Sequence, residues 1–193
     1  MSAPTAAPSG GILNFNKPRG RTSFSVIGLV RRGTAVRRVG HAGTLDPMAE
    51  GVLLVCIGPA VRITEYLMDL PKVYRGTVRL GIETNTYDAE GEVLATHDVD
   101  VGEEALRQAL ATFSGEIEQR PPAHSAIKVG GRPAYERARR GEEIELAARN
   151  VTVYRLDLLR FDPPDVQIEV ECSRGTYVRS LAHDLGQSLG CGG

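Results

Sequence analysis

An α+β fold, with a largely antiparallel mixed sheet flanked by helices, is what this 193-residue sequence predicts. Three observations lead there. Apolar segments of strand length outnumber those of helical length. Several strand-like segments follow one another directly, notably residues 151–161 and 165–172, which suits a hairpin better than a βαβ crossover. Within the second of these, Val166, Ile168, Val170 and Cys172 alternate with Gln167, Glu169 and Glu171, so one face is apolar and the other is solvated or lines a groove.

Taken in order, residues 1–10 are rich in Ala, Pro, Ser and Gly and read as an unstructured tail, with residues 11–193 forming the domain proper. Residues 11–16 (GILNFN) read as a strand. TSFSVIGLVRR reads as a helix, with Thr22 or Ser23 as N-cap and Gly33 as its stop. GHAGTLDPMAEG is too rich in Gly and Pro for either element, and GVLLVCIG, an unbroken apolar run between glycines, reads as a strand buried on both faces. A short helix through Ile63 and Leu67 precedes a strand from Val73 to Leu80, and TNTYDAEGEV is a loop leading to another strand. Asp100 and Glu103 resemble a capping box for a helix that buries Leu106, Ala109, Leu110 and Phe113. The last helix carries Val178, Leu181, Leu185 and Leu189 on one stripe and stops at Gly190.

Composition is that of ordinary globular material, 41% hydrophobic and 24% charged, which excludes disorder of the whole chain. No apolar run reaches the ~20 residues that span a bilayer, and MSAPTAAPSGG lacks the charged and apolar regions of a secretory signal, so the expectation is a cytosolic protein. Cys56, Cys172 and Cys191 are odd in number and widely spaced, which suggests neither a disulfide framework nor zinc; Cys56 and Cys172 are expected as small core residues. The net charge of −1 conceals an uneven distribution. Residues 1–45 carry seven bases (Lys17, Arg19, Arg21, Arg31, Arg32, Arg37, Arg38) and no acid, and residues 120–140 carry six bases and one acid. The first carboxylate in the chain is Asp46.

Asp46 stands before Pro47, whose ring keeps its neighbour out of the α region, and Gly40, Gly43 and Gly51 permit sharp turns around it. Read alone, this loop leaves two roles open: an Asp that shapes a turn, and a carboxylate that acts on a ligand. His41 is by type a general base or metal ligand, yet no second His or Cys lies near it in sequence. In CSRGTYVRS, Gly175 marks a bend between strand and helix, and Arg179 is of the type that holds a carboxylate ionised through a forked pair. Tyr74 lies among bases in KVYRGTV, and HSAIKVGGRPAYERARRG combines the second basic stretch with Tyr135.

These segments together carry a resemblance. NKPRGRTS (16–23), GHAGTLDPMAEGVL (40–53), KVYRGTVRLG (72–81), SAIKVGGRPAYERAR (125–139) and SRGTYVRSLAHDLG (173–186) match, in order and spacing, the TruB-type bacterial tRNA pseudouridine synthases. The resemblance implies the pseudouridine synthase catalytic fold over residues 11–193 and isomerisation of uridine 55 in the T arm of tRNA, without metal or organic cofactor. It implies Asp46 as nucleophile, Arg179 as its charge partner, and Tyr74 as the residue stacked on the flipped base and placed to help remove the C5 proton. His41 and Tyr177 match positions that contact the RNA or target base, and Lys17, Arg19 and Lys128 fall in the RNA-facing segments. The implied partner is tRNA, with no protein partner, no membrane and a monomeric state.

Two positions depart from the family pattern: His124, where an aromatic residue is common, and Glu50, where a small or hydroxyl residue is usual and which is expected to point outward. The chain also stops where the family continues into a strand with a pocket-lining residue and then a small C-terminal RNA-binding domain, so the catalytic domain is expected to be incomplete and that RNA-binding domain absent. Two further readings are a noncatalytic tRNA-binding or folding module, and a metal-dependent hydrolase using His41, Asp46 and Glu50.

Overall fold

In a computed structural model, which describes residues 10–138, 140–142, 144 and 146–193, the chain forms an α+β fold made of antiparallel sheets and helices. Apart from Gly10, the expected tail lies outside the described residues. The domain expected over 11–193 divides into two compact units, Met1–Leu70 and Pro71–Gly193.

The first unit contains β1 (Gly11–Lys17), α1 (Ser23–Thr34), β2 (Val39–His41), β3 (Gly51–Ile57), a 3₁₀ turn (Gly58–Ile63) and α2 (Thr64–Asp69). Its antiparallel sheet has the order β1-β3-β2. The GVLLVCI run is central, as its apolar character demands, though Val52 at its start is 64% exposed rather than buried on both faces. Thr22 caps α1, its hydroxyl accepting from Ser25 N at 3.1 Å. The helix runs one residue past Gly33 and ends with Ala35 in the left-handed region (φ 57°). Val26, Ile27 and Val30 pack on Val39, Leu53 and Val55, each such side chain contributing about 1.5–3 kcal/mol when fully buried. This core anchors both ends of the segment that links β2 to β3, the segment bearing Asp46.

The second unit contains β4 (Lys72–Arg79), β5 (Ile82–Thr84), β6 (Val93–Thr96), α3 (Glu103–Thr112), β7 (Gly115–Gln119), β8 (Lys128–Val129), β9 (Arg132–Pro133), α4 (Ala134–Ala138), β10 (Arg149–Asp162), β11 (Asp165–Cys172) and α5 (Val178–Ser188). Its main sheet has the order β4-β11-β10-β7, antiparallel throughout, and β10–β11 is the expected hairpin. Val166, Ile168, Val170 and Cys172 are buried on one face of β11 against Leu106 and Leu110 of α3 and Leu181 and Leu185 of α5. On the other face Glu169 receives Arg75 Nε at 2.5 Å and Arg155 Nη2 at 2.7 Å. The capping box expected from Asp100 is not formed: the N-cap of α3 is Gly102, with no side-chain hydrogen bond, and Glu103 and Glu104 occupy the first turn, where they face the positive end of the helix dipole. Cys56, Cys172 and Cys191 are free and buried, and burial pushes the Cys172 and Cys191 thiols up, so they are unreactive core groups.

Candidate active site

Asp46 lies half-buried on the loop between β2 and β3. Its carbonyl accepts from Ala49 N at 3.1 Å, closing a turn with Pro47 in the second position, the arrangement for which Asp followed by Pro is suited. Both flanks of the residue are held by the NKPRGRTS segment. On the N-terminal side the buried Ser23 hydroxyl donates to Leu45 O at 3.1 Å and accepts from Leu45 N at 2.9 Å. On the C-terminal side Pro47 O accepts from Gly20 N at 2.7 Å and from Lys17 Nζ at 3.2 Å. The peptide groups on either side of Asp46 are therefore fixed. His41 ends β2 opposite Val55, and its Nδ1 donates to Gly43 O at 2.6 Å, which sets the tautomer and ties the ring to the glycine (φ 111°) that turns the loop.

Lys17 requires a correction. Its sequence context placed it among RNA-facing bases, but its side chain is 0% exposed and its ammonium donates to Pro18 O, Arg21 O and Pro47 O at 3.2, 2.7 and 3.2 Å. A charge enclosed in carbonyls cannot reach a phosphate; Lys17 builds the Asp46 loop instead. Arg19 is exposed, as is Lys128 on β8, and Glu50 is exposed, as its expected outward direction requires.

In the second unit, Tyr74 on β4 sits opposite Val170 and packs half-buried against the cluster of Val153, Val170, Cys172 and Leu181. Tyr177 is the N-cap residue of α5, and Arg179 is the second residue of that helix. The Arg179 fork spans two loops: Nη1 donates to Thr86 O at 2.8 Å, and Nη2 to His124 O at 3.1 Å. Nη1 also lies 3.4 Å from Asp88 Oδ2, both side chains being largely buried, at 13% and 12% exposed. Asp88 Oδ1 accepts from Thr86 Oγ1 at 2.6 Å and from Glu90 N at 3.1 Å. Between them Tyr87 adopts a left-handed backbone (φ 59°), a conformation costing about 1–2 kcal/mol outside glycine. Its ring stacks on His183 with centroids 3.9 Å apart, which offsets that cost. Burial pushes the Tyr87 phenol up, Asp184 and Glu83 adding to the effect and Arg120 opposing it.

Ser23 in the first unit, and Asp88 and Gln119 in the second, hold these residues in place, and no sequence pattern singles them out. In sequence, Ser23 carries only the signal of a helix cap, and TNTYD only that of a loop. Gln119, 1% exposed, shows no sign in its linear context that its amide faces Tyr177. Among the described residues no group of three or more His, Cys, Asp and Glu is arranged to hold a metal ion, and no helix is long and apolar enough to cross a membrane.

At the level of fold, the chain is similar to the solved structure described as "Crystal Structure of a Cbf5-Nop10-Gar1 Complex", with TM-score 0.72 and 32% identity over 95% of this chain and 45% of that one. It is also similar to "Structure of H/ACA RNP bound to a substrate RNA containing 2'-deoxyuridine", with TM-score 0.69 and 29% identity over 95% of this chain and 44% of that one. The first defines the class, an α+β architecture shared with a protein solved in a complex, and the second with one solved bound to RNA. More particularly, the family model described as TruB family pseudouridylate synthase (N terminal domain) matches residues 31–178, and the chain belongs to that family. Its relatives include proteins named tRNA pseudouridine synthase B from Pseudomonas aeruginosa (strain UCBPP-PA14), 52% identical over 94% of this chain and 60% of the relative, and from Clostridium kluyveri, 49% identical over 95% and 63%. The chain thus spans about 60% of the length of these relatives.

Proposed function

We propose that this chain acts on tRNA as a pseudouridine synthase, converting uridine 55 of the T arm, with Asp46 as the nucleophile. The observation that carries the reading is the loop that immobilises the peptide groups on both sides of Asp46. Half-identity to proteins named tRNA pseudouridine synthase B supports tRNA as the substrate.

The chemistry is an isomerisation. The target nucleotide leaves its stack, at a cost of a few kcal/mol that aromatic stacking on Tyr74 offsets. Asp46 attacks C1′ and displaces N1, the freed uracil turns, and C5 attacks C1′ and releases the Asp46 carboxylate. C5 gives up its proton, with Tyr74 placed to assist, and N1 takes one up, so atoms balance without a cofactor. Arg179 supplies positive charge to the reaction, and His41 and Tyr177 contact the target nucleotide or its neighbours. Exposed Arg19 and Lys128 contact the RNA backbone.

The test is release of tritium from tRNA transcribed with 5-tritiated uridine, followed by mapping of the modified position. The expected result is one equivalent released per tRNA, with the modification at uridine 55. Release from a different uridine would overturn the T-arm assignment, and tRNA binding with no release would leave a noncatalytic binding module as the reading.

A further inference from the structure

Gln119 ends β7 directly opposite Arg149, the first residue of β10. This one cross-strand pair reaches Tyr177 in two ways. The Gln119 side chain, 1% exposed, donates from Nε2 to Tyr177 O at 3.0 Å and accepts at Oε1 from Tyr177 N at 2.7 Å. A side-chain amide that pairs with both backbone groups of one residue reproduces a rung of a β-ladder where no strand is present, and so fixes the φ and ψ of Tyr177. Its partner Arg149 donates from Nη2 to Gly175 O, and its Cζ lies 5.1 Å from the centroid of the Tyr177 ring. That contact orients the ring by cation–π attraction. One residue along, Ser180 Oγ donates to Arg120 O at 2.8 Å, so the start of α5 is fastened to the end of β7 at consecutive points.

Without this bracket Tyr177 would be loosely held. It follows Gly175, at φ 87°, and Thr176, and its own side chain makes no cap for α5. We propose that Gln119, with Arg149 beside it, is a positioning residue that presets Tyr177 for the target base. The proposal rests on the reading of Tyr177 as a base-contacting residue given above. A preset side chain lowers the barrier to reaction more than it strengthens binding of the tRNA, whose contacts are dominated by phosphates.

The experiment compares Gln119→Leu and Gln119→Glu with the parent chain in the tritium-release assay. Leu keeps the volume and removes both hydrogen bonds. Glu recovers the same donor and acceptor only when its carboxyl is protonated. Gln119→Leu is expected to lower kcat by about 10- to 100-fold with KM for tRNA within about threefold. The kcat of Gln119→Glu relative to parent is expected to rise as pH falls from about 8 to about 5.5, while the Leu ratio stays flat. A parent-like kcat for Gln119→Leu, a change confined to KM, or identical pH ratios for the two variants would overturn the proposal. If the parent chain itself releases no tritium, the functional reading fails, and the bracket is then tested without reaction. The chain contains no Trp, so Tyr177→Trp introduces a single indole. Its fluorescence anisotropy is expected to fall when Gln119→Leu is added, and an unchanged anisotropy would overturn the bracket.

Discussion

Replacing Ser23 by Ala tests whether the Asp46 loop is held as described. The hydroxyl makes two hydrogen bonds, to Leu45 O at 3.1 Å and from Leu45 N at 2.9 Å, and Ser23 is 2% exposed, so water cannot replace it freely. Each bond is worth about 0.5–1.5 kcal/mol net, and leaving a buried partner unpaired costs about 1–3 kcal/mol. Stability should therefore fall by about 1–3 kcal/mol, or about 2–4 °C in Tm for each kcal/mol in a chain of this size. Leu45 O belongs to the peptide that leads into Asp46, so the same loss frees the carboxylate on one flank. A misplacement of about 1 Å is enough to lower the rate by about 100-fold. Urea unfolding followed by circular dichroism reads the first effect and single-turnover tritium release the second. A Ser23→Ala chain with the parent's midpoint and the parent's rate would refute the reasoning.

Three further outcomes follow from other parts of the molecule. A Cβ at Gly186 would lie 2.2 Å from the backbone of Gly192 and Gly193, so Gly186→Ala should destabilise by about 1–3 kcal/mol through overpacking, and an unchanged urea midpoint would contradict that close approach. Hydrogen bonds from Arg75 and then Arg155 hold the Glu169 carboxyl below its ordinary value of 4.5, so its contribution is present above that value and is lost as pH falls through the lower folded one. The stability difference between parent and Glu169→Gln should accordingly be largest near neutrality and shrink in acid; a difference that grows in acid would reverse the sign. Arg19, Arg21, Arg31, Arg32, Arg37 and Arg38 are exposed, so tRNA affinity should fall with salt at a log–log slope of about −0.7 to −0.9 per phosphate contacted, and a flat dependence would remove these residues from the RNA interface.

Local patterns were readable from sequence where a single element determines them. The alternation of Val166 to Cys172, the cap and apolar stripe of α1 and the unbroken GVLLVCI run each express the period of one strand or helix. Pairings between distant segments were not readable: β4 joins β11 in register Tyr74 with Val170, and Gln119 meets Tyr177 58 residues away. The side chains of Lys17 and Asp100 show why even a correct segment can mislead. Lys17 falls in a basic, motif-bearing stretch, but whether its ammonium faces RNA or a ring of carbonyls depends on where Pro47 folds back. Asp100 has the spacing of a capping box, but Gly102 takes the N-cap position and leaves it outside the helix. The roles proposed for Asp46 and Arg179 rest on motif resemblance, whereas Ser23 and Asp88, which hold their neighbours, carry no such signature.

The central claim, that Asp46 is the nucleophile of a tRNA pseudouridine synthase, is tested most directly by Asp46→Asn. The variant should bind tRNA within about threefold of the parent and release no tritium from 5-tritiated uridine, because the amide keeps the shape of the side chain and loses its nucleophilic oxygen. Tritium release at the parent's rate from Asp46→Asn would contradict the claim.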